Sequence, residues 1–269
     1  GDGWAYQYDD HQMRGFKQTH QPSPWVNDYG AFSIMPVTGN LKYREEERQS
    51  WFSHKTEIVE PHYYKVYLAE PDVWTELTTT DRSVLFRFSF PESDSSYIVL
   101  DGFNQGSKVE IIPSDNKIVG YCRNNNDGVP DNFHNYFVAE FDKPFQYTHT
   151  WNKKTLNRND LSEEGEHVGA VIGFETLKNE TVHVRVSSSF ISPEQAQLNL
   201  DRELGGKSFE AIKEEGFHVW NKELNRIQVE GGTQDQKKTF YSCLYRTLLF
   251  PRKFYEWNPN GQPVHYSPY

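Results

Sequence analysis

Apolar and polar residues alternate in a series of short segments between residues 31 and 189. In residues 83–90 the even-numbered positions are Val or Phe, whereas Arg87 and Ser89 occupy the odd-numbered set. Successive side chains of a strand point to opposite faces, so a period of two is typical of a half-buried strand. Residues 181–187 repeat the pattern. Further strands are predicted at residues 31–35, 62–69, 73–79, 97–100, 108–112, 117–122, 135–141 and 168–174.

Turn-forming clusters separate these segments, for example residues 91–96, 113–116 and 124–128, which are rich in Pro, Ser, Asn and Asp. No helical period lies between them. Many short strands at near-regular spacing, without intervening helices, are typical of two antiparallel sheets packed face to face. We therefore predict a mainly β chain whose first domain, residues 1–190, is an antiparallel two-sheet β-sandwich.

The hydrophobic period lengthens after Ser189 and indicates helices. Residues 192–195, SPEQ, form a capping box that predicts a helix to about Arg202. Apolar residues then recur every three or four positions from Phe209 to Ile227, which predicts a second helix. Residues 233–236, TQDQ, form another capping box, and Pro251 ends the third predicted helix. The tail, residues 257–265, is predicted to be a loop.

Charge and cysteine content exclude several classes of protein. The net charge of -10 gives no general attraction to phosphate backbones, so nucleic acid is not an expected partner. The two cysteines, far apart in the chain, exclude a disulfide framework. No apolar run approaches the roughly 20 residues that a membrane span requires. Aromatic residues are abundant, at 15% of the chain, which suits a protein that stacks rings on sugars.

Two sets of motifs resemble glycoside hydrolase family 92, the calcium-dependent exo-acting α-mannosidases. The first set is EGGT at residues 230–233 followed by FYSCLYRTLLFPR at residues 240–252. The second set lies near the start of the chain and includes GF at residues 15–16, THQPSPW at residues 19–25, DYG at residues 28–30 and MPVTG at residues 35–39. Together the two sets cover essentially the whole chain.

The resemblance implies that residues 191–232 are a helical linker and that residues 233–269 begin a truncated (α/α)6 catalytic domain. Members of the family hydrolyse α-linked mannose of glycans with inversion. Their catalytic carboxylates and calcium ligands lie in the barrel, so this chain is expected to lack both and to be inactive alone. Its expected partners are mannose-containing glycans and the missing C-terminal catalytic domain. By resemblance, the protein is secreted or periplasmic.

The resemblance implies that the stretch QTHQPSPWVNDYG, residues 18–30, is a substrate-binding loop, because the corresponding loop of the family reaches into the mannose pocket. Pro22 and Pro24 restrict its backbone, so that Trp25 can present a stacking face. His20, Gln21 and Ser23 can hydrogen-bond to sugar hydroxyls, and Trp4 and Tyr6 are assigned the same role from the resemblance. In the alternative interpretation, Trp25 plugs the end of the sandwich and His20 is a structural histidine.

No catalytic or metal-binding residue is predicted within the chain. Glycoside hydrolysis by inversion requires two carboxyl groups about 6.5–9.5 Å apart, whereas the acidic clusters here are adjacent residues that point in different directions. The ten histidines show no zinc-ligand spacing. We expect Tyr255, Glu256 and Trp257 to be disordered or repacked. Two other functions remain open: a stand-alone carbohydrate-binding sandwich module and a structural β domain without a ligand.

Overall fold

A computed structural model describes residues 8–18, 31–124, 129–249 and 253–267. The strands in this part of the chain are β1 (Gln12–Met13), β2 (Phe16–Lys17), β3 (Ser33–Thr38), β4 (Ser50–Trp51), β5 (Ile58–Glu60), β6 (Tyr63–Leu68), β7 (Val73–Thr79), β8 (Ser83–Phe90), β9 (Ser93–Asp101), β10 (Ser107–Ile112), β11 (Lys117–Cys122), β12 (Asn135–Phe141), β13 (Tyr147–Asn152), β14 (Thr155–Arg158), β15 (Ser162–Gly165), β16 (Val168–Thr176), β17 (Glu180–Ser189), β18 (Tyr255–Trp257) and β19 (Pro263–His265). The helices are α1 (Glu45–Arg48), α2 (Pro193–Glu203), α3 (Phe209–Leu224) and α4 (Gln234–Leu249).

Two large antiparallel sheets form the sandwich. Within the described residues, one sheet has nine strands in the order β15-β10-β11-β12-β17-β8-β7-β6-β5, and the other has six in the order β14-β13-β16-β9-β3-β2. The main core lies between their inner faces, and its fully buried aromatic side chains include Phe88, Phe90, Phe137 and Phe174. The predicted two-sheet sandwich is confirmed.

A second apolar cluster covers the opposite face of the six-stranded sheet. Alternation along β9 places Ile98 and Leu100 in the main core and turns Val99 to the other side. Val99 packs there with Met35, Trp151 and Phe52, the last from the segment that follows α1. The sheet is therefore buried on both faces, which explains why β16 reads as an almost continuous apolar run.

The helices begin where the capping boxes predict. Ser192 Oγ accepts a hydrogen bond from Gln195 N at 3.1 Å, and Thr233 Oγ1 accepts one from Gln236 N at 3.2 Å. Helix α2 lies on the outer face of the nine-stranded sheet, where Ala196 and Leu200 pack against Val138. The N-terminal half of α3 buries its apolar residues on the same face, beside Tyr63 and Leu85.

Helix α4, the last helix of the described chain, stands apart from the sandwich core. It contacts α3, where the rings of Trp220 and Tyr245 lie 4.9 Å apart. None of its residues is buried. Its apolar positions, including Leu244 and Leu248, are therefore only partly covered within the described chain. In the described residues, no helix is long and apolar enough to span a membrane.

One prediction about the chain end was wrong, and of the two alternatives given for residues 255–257, disordered or repacked, the first is contradicted. Residues 257–265 were predicted to be a loop, but β18 and β19 pair as a hairpin with Tyr255 opposite His265. Tyr255, Glu256 and Trp257 form its first strand, and Glu256 is 1% exposed. The hairpin is ordered because it packs on α2 and on the end of the nine-stranded sheet, and these contacts have no counterpart in the local sequence pattern.

Candidate functional site

Several polar side chains lie close together at one end of the sandwich, and they form the candidate site. The β7–β8 turn, which contains Arg82, reaches this end, as do Ser188 near the end of β17 and Asn124 after β11. Asp101, the last residue of β9, lies at the same end of the six-stranded sheet, opposite Ser33. We call this region the junction end, because α2 and the β18–β19 hairpin also meet the sandwich there.

In the sequence, the predicted substrate-binding loop lies between β2 and β3. Trp25, His20, Gln21 and Ser23 lie outside the described residues, and so do Trp4 and Tyr6 near the start of the chain. The structure therefore places none of these side chains. It does describe the two ends of this stretch, Gln18, which is its first residue, and Ala31, which follows it.

Both flanking residues are attached to the nine-stranded sheet. Gln18 Nε2 donates to Ser188 Oγ at 2.6 Å and to the Arg82 main-chain oxygen at 3.5 Å. Ala31 N donates to Asn124 Oδ1 at 2.6 Å. The loop that carries Trp25 thus begins and ends at fixed points of the junction end.

The β18–β19 hairpin is held to the junction end by a buried carboxylate. Glu256 accepts hydrogen bonds from Phe190 N at 2.9 Å and from Asn199 Nδ2 at 2.7 Å. Arg82 donates to the main-chain oxygens of Lys253 and Tyr255 at 2.7 and 2.8 Å. The chain that follows α4 is therefore fixed beside the base of the predicted loop.

Further contacts to the hairpin come from α2. Gln195 Nε2 donates to the Trp257 main-chain oxygen at 2.9 Å, and Arg202 Nη1 donates to the same oxygen at 2.8 Å. Sequence reasoning missed these residues and Asn199. A signal was present, because Gln195 and Asn199 are spaced four residues apart and neighbour the inward-facing Ala196 and Leu200. Nothing in the sequence around Arg82 indicates its partners.

A second buried network braces the junction end around Asp101. This carboxylate lies 2.8 Å from Arg48 Nη2, accepts from Phe103 N at 2.9 Å, and bonds His167 Nε2 at 2.8 Å. Burial by itself raises the pKa of Asp101, but the His167 hydrogen bond and the Arg48 charge outweigh it and hold that pKa below its usual range. The carboxylate is therefore ionised and structural.

The buried carboxylates of the junction end are unsuited to acid and base chemistry. Asp101 is buried and ionised beside the Arg48 charge, and Glu256 accepts from Phe190 N and Asn199. Neither carboxylate is therefore free to activate a water or to protonate a leaving group. Within the described ranges there is also no group of three His, Cys, Asp or Glu side chains arranged to hold a metal ion.

A second concave surface lies between α3 and the β5–β6 turn, lined by Glu60, His62, Glu210, Lys213 and Phe217 among others. Two of its charged groups hold α3 to the sheet. Glu210 pairs with Arg87 at 2.8 Å, and Lys213 lies 3.5 Å from the centre of the Tyr63 ring. Burial lowers the pKa of His62. We therefore take the junction end, and not this groove, as the candidate functional site.

Family models match the chain in two consecutive parts. Residues 1–189 match the glycosyl hydrolase family 92 N-terminal domain, and residues 195–269 match the glycosyl hydrolase family 92 catalytic domain. The order of the two matches agrees with the fold, a sandwich followed by helices. This chain belongs to glycosyl hydrolase family 92.

Solved structures agree with the family match. A family GH92 inverting mannosidase from Bacteroides thetaiotaomicron is 47% identical with a TM-score of 0.95, covering 100% of this chain and 36% of its own length. A family GH92 α-mannosidase from the same organism is 27% identical with a TM-score of 0.82, covering 97% of this chain and 38% of its own length. The chain thus spans little more than a third of these enzymes.

A curated relative is an uncharacterized secreted glycosidase from Arthroderma benhamiae. It is 31% identical over 100 residues, which are 35% of this chain and 13% of the relative. The chain therefore spans a small part of that protein as well.

Proposed function

We propose that this chain is the N-terminal portion of an exo-acting, inverting α-mannosidase that cleaves α-linked mannose of glycans. In this proposal the sandwich is residues 1–190, the helical linker residues 191–232, and the start of the catalytic domain residues 233–269. The sandwich supports the catalytic domain and contributes one wall of the sugar pocket at its junction end. The chain alone is inactive.

The observation that carries this proposal is the convergence at the junction end. The loop predicted to bind sugar is anchored there at Gln18 and Ala31, and the first chain segment after α4 is anchored there through Glu256. A pocket completed by residues of both domains requires such a meeting point, since ligand sites occur preferentially at domain interfaces. The 47% identity to an inverting mannosidase supports the stereochemical outcome.

The alternative, a stand-alone carbohydrate-binding module, has weaker support. A module of that kind needs no catalytic domain, whereas residues 195–269 match the catalytic domain of the family. Helix α4 also leaves its apolar side only partly covered in the described chain. Both observations favour a sandwich that works together with a helical catalytic domain.

Three further properties belong to the proposal for the whole protein. Any calcium ion would be bound by residues beyond this chain, in the remainder of the catalytic domain. The secreted glycosidase among the relatives supports a secreted or periplasmic location. The substrates would be mannose-containing glycans, and the enzyme would take part in the degradation of N-glycans.

We expect Trp25→Ala in the full-length protein to lower kcat/KM for an α-mannoside at least about tenfold, which is about 1.4 kcal/mol of transition-state stabilisation. The reason is the loss of the ring face on which the sugar would stack. Steady-state kinetics on purified variants measure the effect.

Trp51→Ala is the matched control. Trp51 is 44% exposed. Its main-chain oxygen accepts a hydrogen bond from Ala69 N, which lies near the first residue of β7, whereas Arg82 lies after the last residue of β7. Seven strand residues separate the two ends by about 23 Å. Trp51→Ala should leave kcat/KM unchanged. If Trp25→Ala instead lowers thermal stability and leaves the kinetics unchanged, Trp25 has a structural role.

A further inference from the structure

His62, which comes just before β6, lies under the middle of α3. It is 7% exposed, and its ring meets the Phe217 ring edge-on with the ring centres 5.6 Å apart. Its main-chain oxygen accepts a hydrogen bond from Thr78 Oγ1 of β7. A Cβ atom on Gly216 would lie 3.0 Å from His62 Cβ. The missing side chain at Gly216 therefore lets the helix backbone approach the histidine closely.

This contact lies at the point where α3 changes partners. The buried residues of α3 are Phe209 and Ile212, both beside the nine-stranded sheet. Residues 218 and 219 are exposed, and Trp220 packs on α4. The contact of His62 with residues 216–217 therefore lies between the part of α3 that is fixed to the sheet and the part that meets α4.

The His62 imidazole is buried without a hydrogen bond to its ring from the described residues. Glu60 Oε2 is 3.6 Å from Nε2, which is beyond hydrogen-bonding distance. Lys213 and Glu214, both from α3, are the other charged groups that face the ring. Glu210 lines the same groove but is held in an ion pair with β8. A ring buried in this way is most stable without a charge.

The surroundings of His62 define how the docking of α3 responds to pH. Burial lowers the pKa of His62 and the Lys213 charge adds to this effect, whereas Glu60 and Glu214 oppose it. In an undocked state, where the ring reaches water, the pKa returns to its ordinary value of 6.5. The contribution of His62 to docking is therefore complete above pH 6.5 and decreases as the pH falls from 6.5 to the lowered pKa of the docked state.

We propose that protonation of His62 favours release of the C-terminal half of α3 from the sheet, so that the docking of this helix is sensitive to pH near neutrality. The effect is local, because Phe209 and Ile212 lie in a separate apolar cluster with Tyr63 and Leu85. Since α3 leads into α4, its release loosens the connection between the sandwich and the helices that follow. The inference does not depend on the proposed function.

Hydrogen exchange of the full-length protein at about pH 7.5 and about pH 5.5, followed by mass spectrometry of peptides from α3, tests this proposal. After correction for intrinsic exchange rates, we expect the protection of residues 213–224 to fall about threefold to tenfold at the lower pH. A fall of about tenfold is the limit for a group that has a pKa of 6.5 when undocked and stays neutral when docked. Carboxylates with ordinary pKa values stay largely ionised at about pH 5.5.

His62→Phe removes the titrating group and keeps a ring against Phe217. The protection of α3 in this variant should be the same at both pH values. His62→Gln is also neutral at both, so it should show the same independence of pH, and it replaces His62→Phe if that variant does not fold. His218→Gln is the matched control. His218 also belongs to α3, but its side chain is 69% exposed and lies 3.0 Å from Glu214, so this variant should keep the fall in protection.

Three outcomes overturn the proposal. The first is equal protection of α3 at the two pH values in the unaltered protein, and the second is a fall of the same size in His62→Phe. The third is a matching fall in α2, which packs on the same face of the sheet, because it would show general unfolding and not release of α3. A fall confined to α3, present in His218→Gln and absent in His62→Phe, supports the proposal.

Discussion

Asp101→Ala should lower the free energy of unfolding by about 3–5 kcal/mol, one of the two largest effects that we expect from a single substitution. The side chain of Arg48 is 0% exposed and lies 2.8 Å from the Asp101 carboxylate. Without that carboxylate, the guanidinium remains buried without its counter-charge, and Phe103 N loses its acceptor. Urea unfolding followed by tryptophan fluorescence measures the difference.

The effect of Asp101→Ala should depend on pH in a defined direction. Because the pKa of Asp101 is lowered in the folded protein, the carboxylate stabilises the fold fully above its unfolded-state pKa of 3.8. This stabilisation is lost as the pH falls through the lower, folded-state pKa. The gap in stability between the two proteins should therefore be wider at about pH 6 than at about pH 3.

Glu215→Ala is the control for a charge pair at the surface. Glu215 lies 2.7 Å from Lys207, and both side chains are more than 40% exposed. Exposed pairs of this kind typically contribute less than about 1 kcal/mol. Equal losses of stability in Asp101→Ala and Glu215→Ala would contradict the buried network at the junction end.

Gly120→Ala should lower the free energy of unfolding by about 3 kcal/mol or more. A Cβ atom at this position would lie 2.1 Å from the Lys108 main-chain oxygen and 2.6 Å from Cζ of Phe137. Gly120 is in β11, which is hydrogen-bonded to β10 on one side and β12 on the other, so the backbone cannot move away. Chemical denaturation again provides the measurement.

Gly206→Ala is its control, since a Cβ atom there meets no atom within 4 Å. It should change stability by no more than about 0.5 kcal/mol. If Gly120→Ala changed the free energy of unfolding as little as Gly206→Ala, the register of β11 against its neighbours would be incorrect.

The sandwich was predictable because most strands carry a period of two. The predicted strands at residues 73–79, 83–90, 117–122 and 135–141 coincide with β7, β8, β11 and β12. In each of them, alternate positions carry apolar side chains that pack in the main core, such as Val73 and Leu77 in β7 and Phe137 and Phe141 in β12. Local composition and burial agree there, so the sequence alone is informative.

The sequence analysis did not predict β13 and β15, because neither strand shows an apolar period of two. Strand β15 is Ser-Glu-Glu-Gly, an edge strand without an apolar face. Strand β13 buries His149 and Thr150 next to Trp151, so that polar residues occupy inward positions and hide the period. These strands form because neighbouring strands supply the hydrogen bonds, which a reading of the local pattern does not include.

The junction end was the least predictable part of the fold. Glu256 bonds Phe190 and Asn199, which are 66 and 57 residues away in the chain, and Arg82 donates to Tyr255 across 173 residues. No local pattern encodes such partners. The sugar-contacting roles of Trp25, His20, Gln21, Ser23, Trp4 and Tyr6 remain predictions, because those residues lie outside the described part of the chain.

The central claim is that this chain is the first part of an inverting α-mannosidase. The most direct test incubates the full-length protein with an aryl α-mannoside and records the first-formed sugar by proton NMR, before mutarotation mixes the anomers. We predict that β-mannose appears first and that the isolated 269-residue chain releases none. Release of α-mannose first, or no hydrolysis by the full-length protein, would contradict the account.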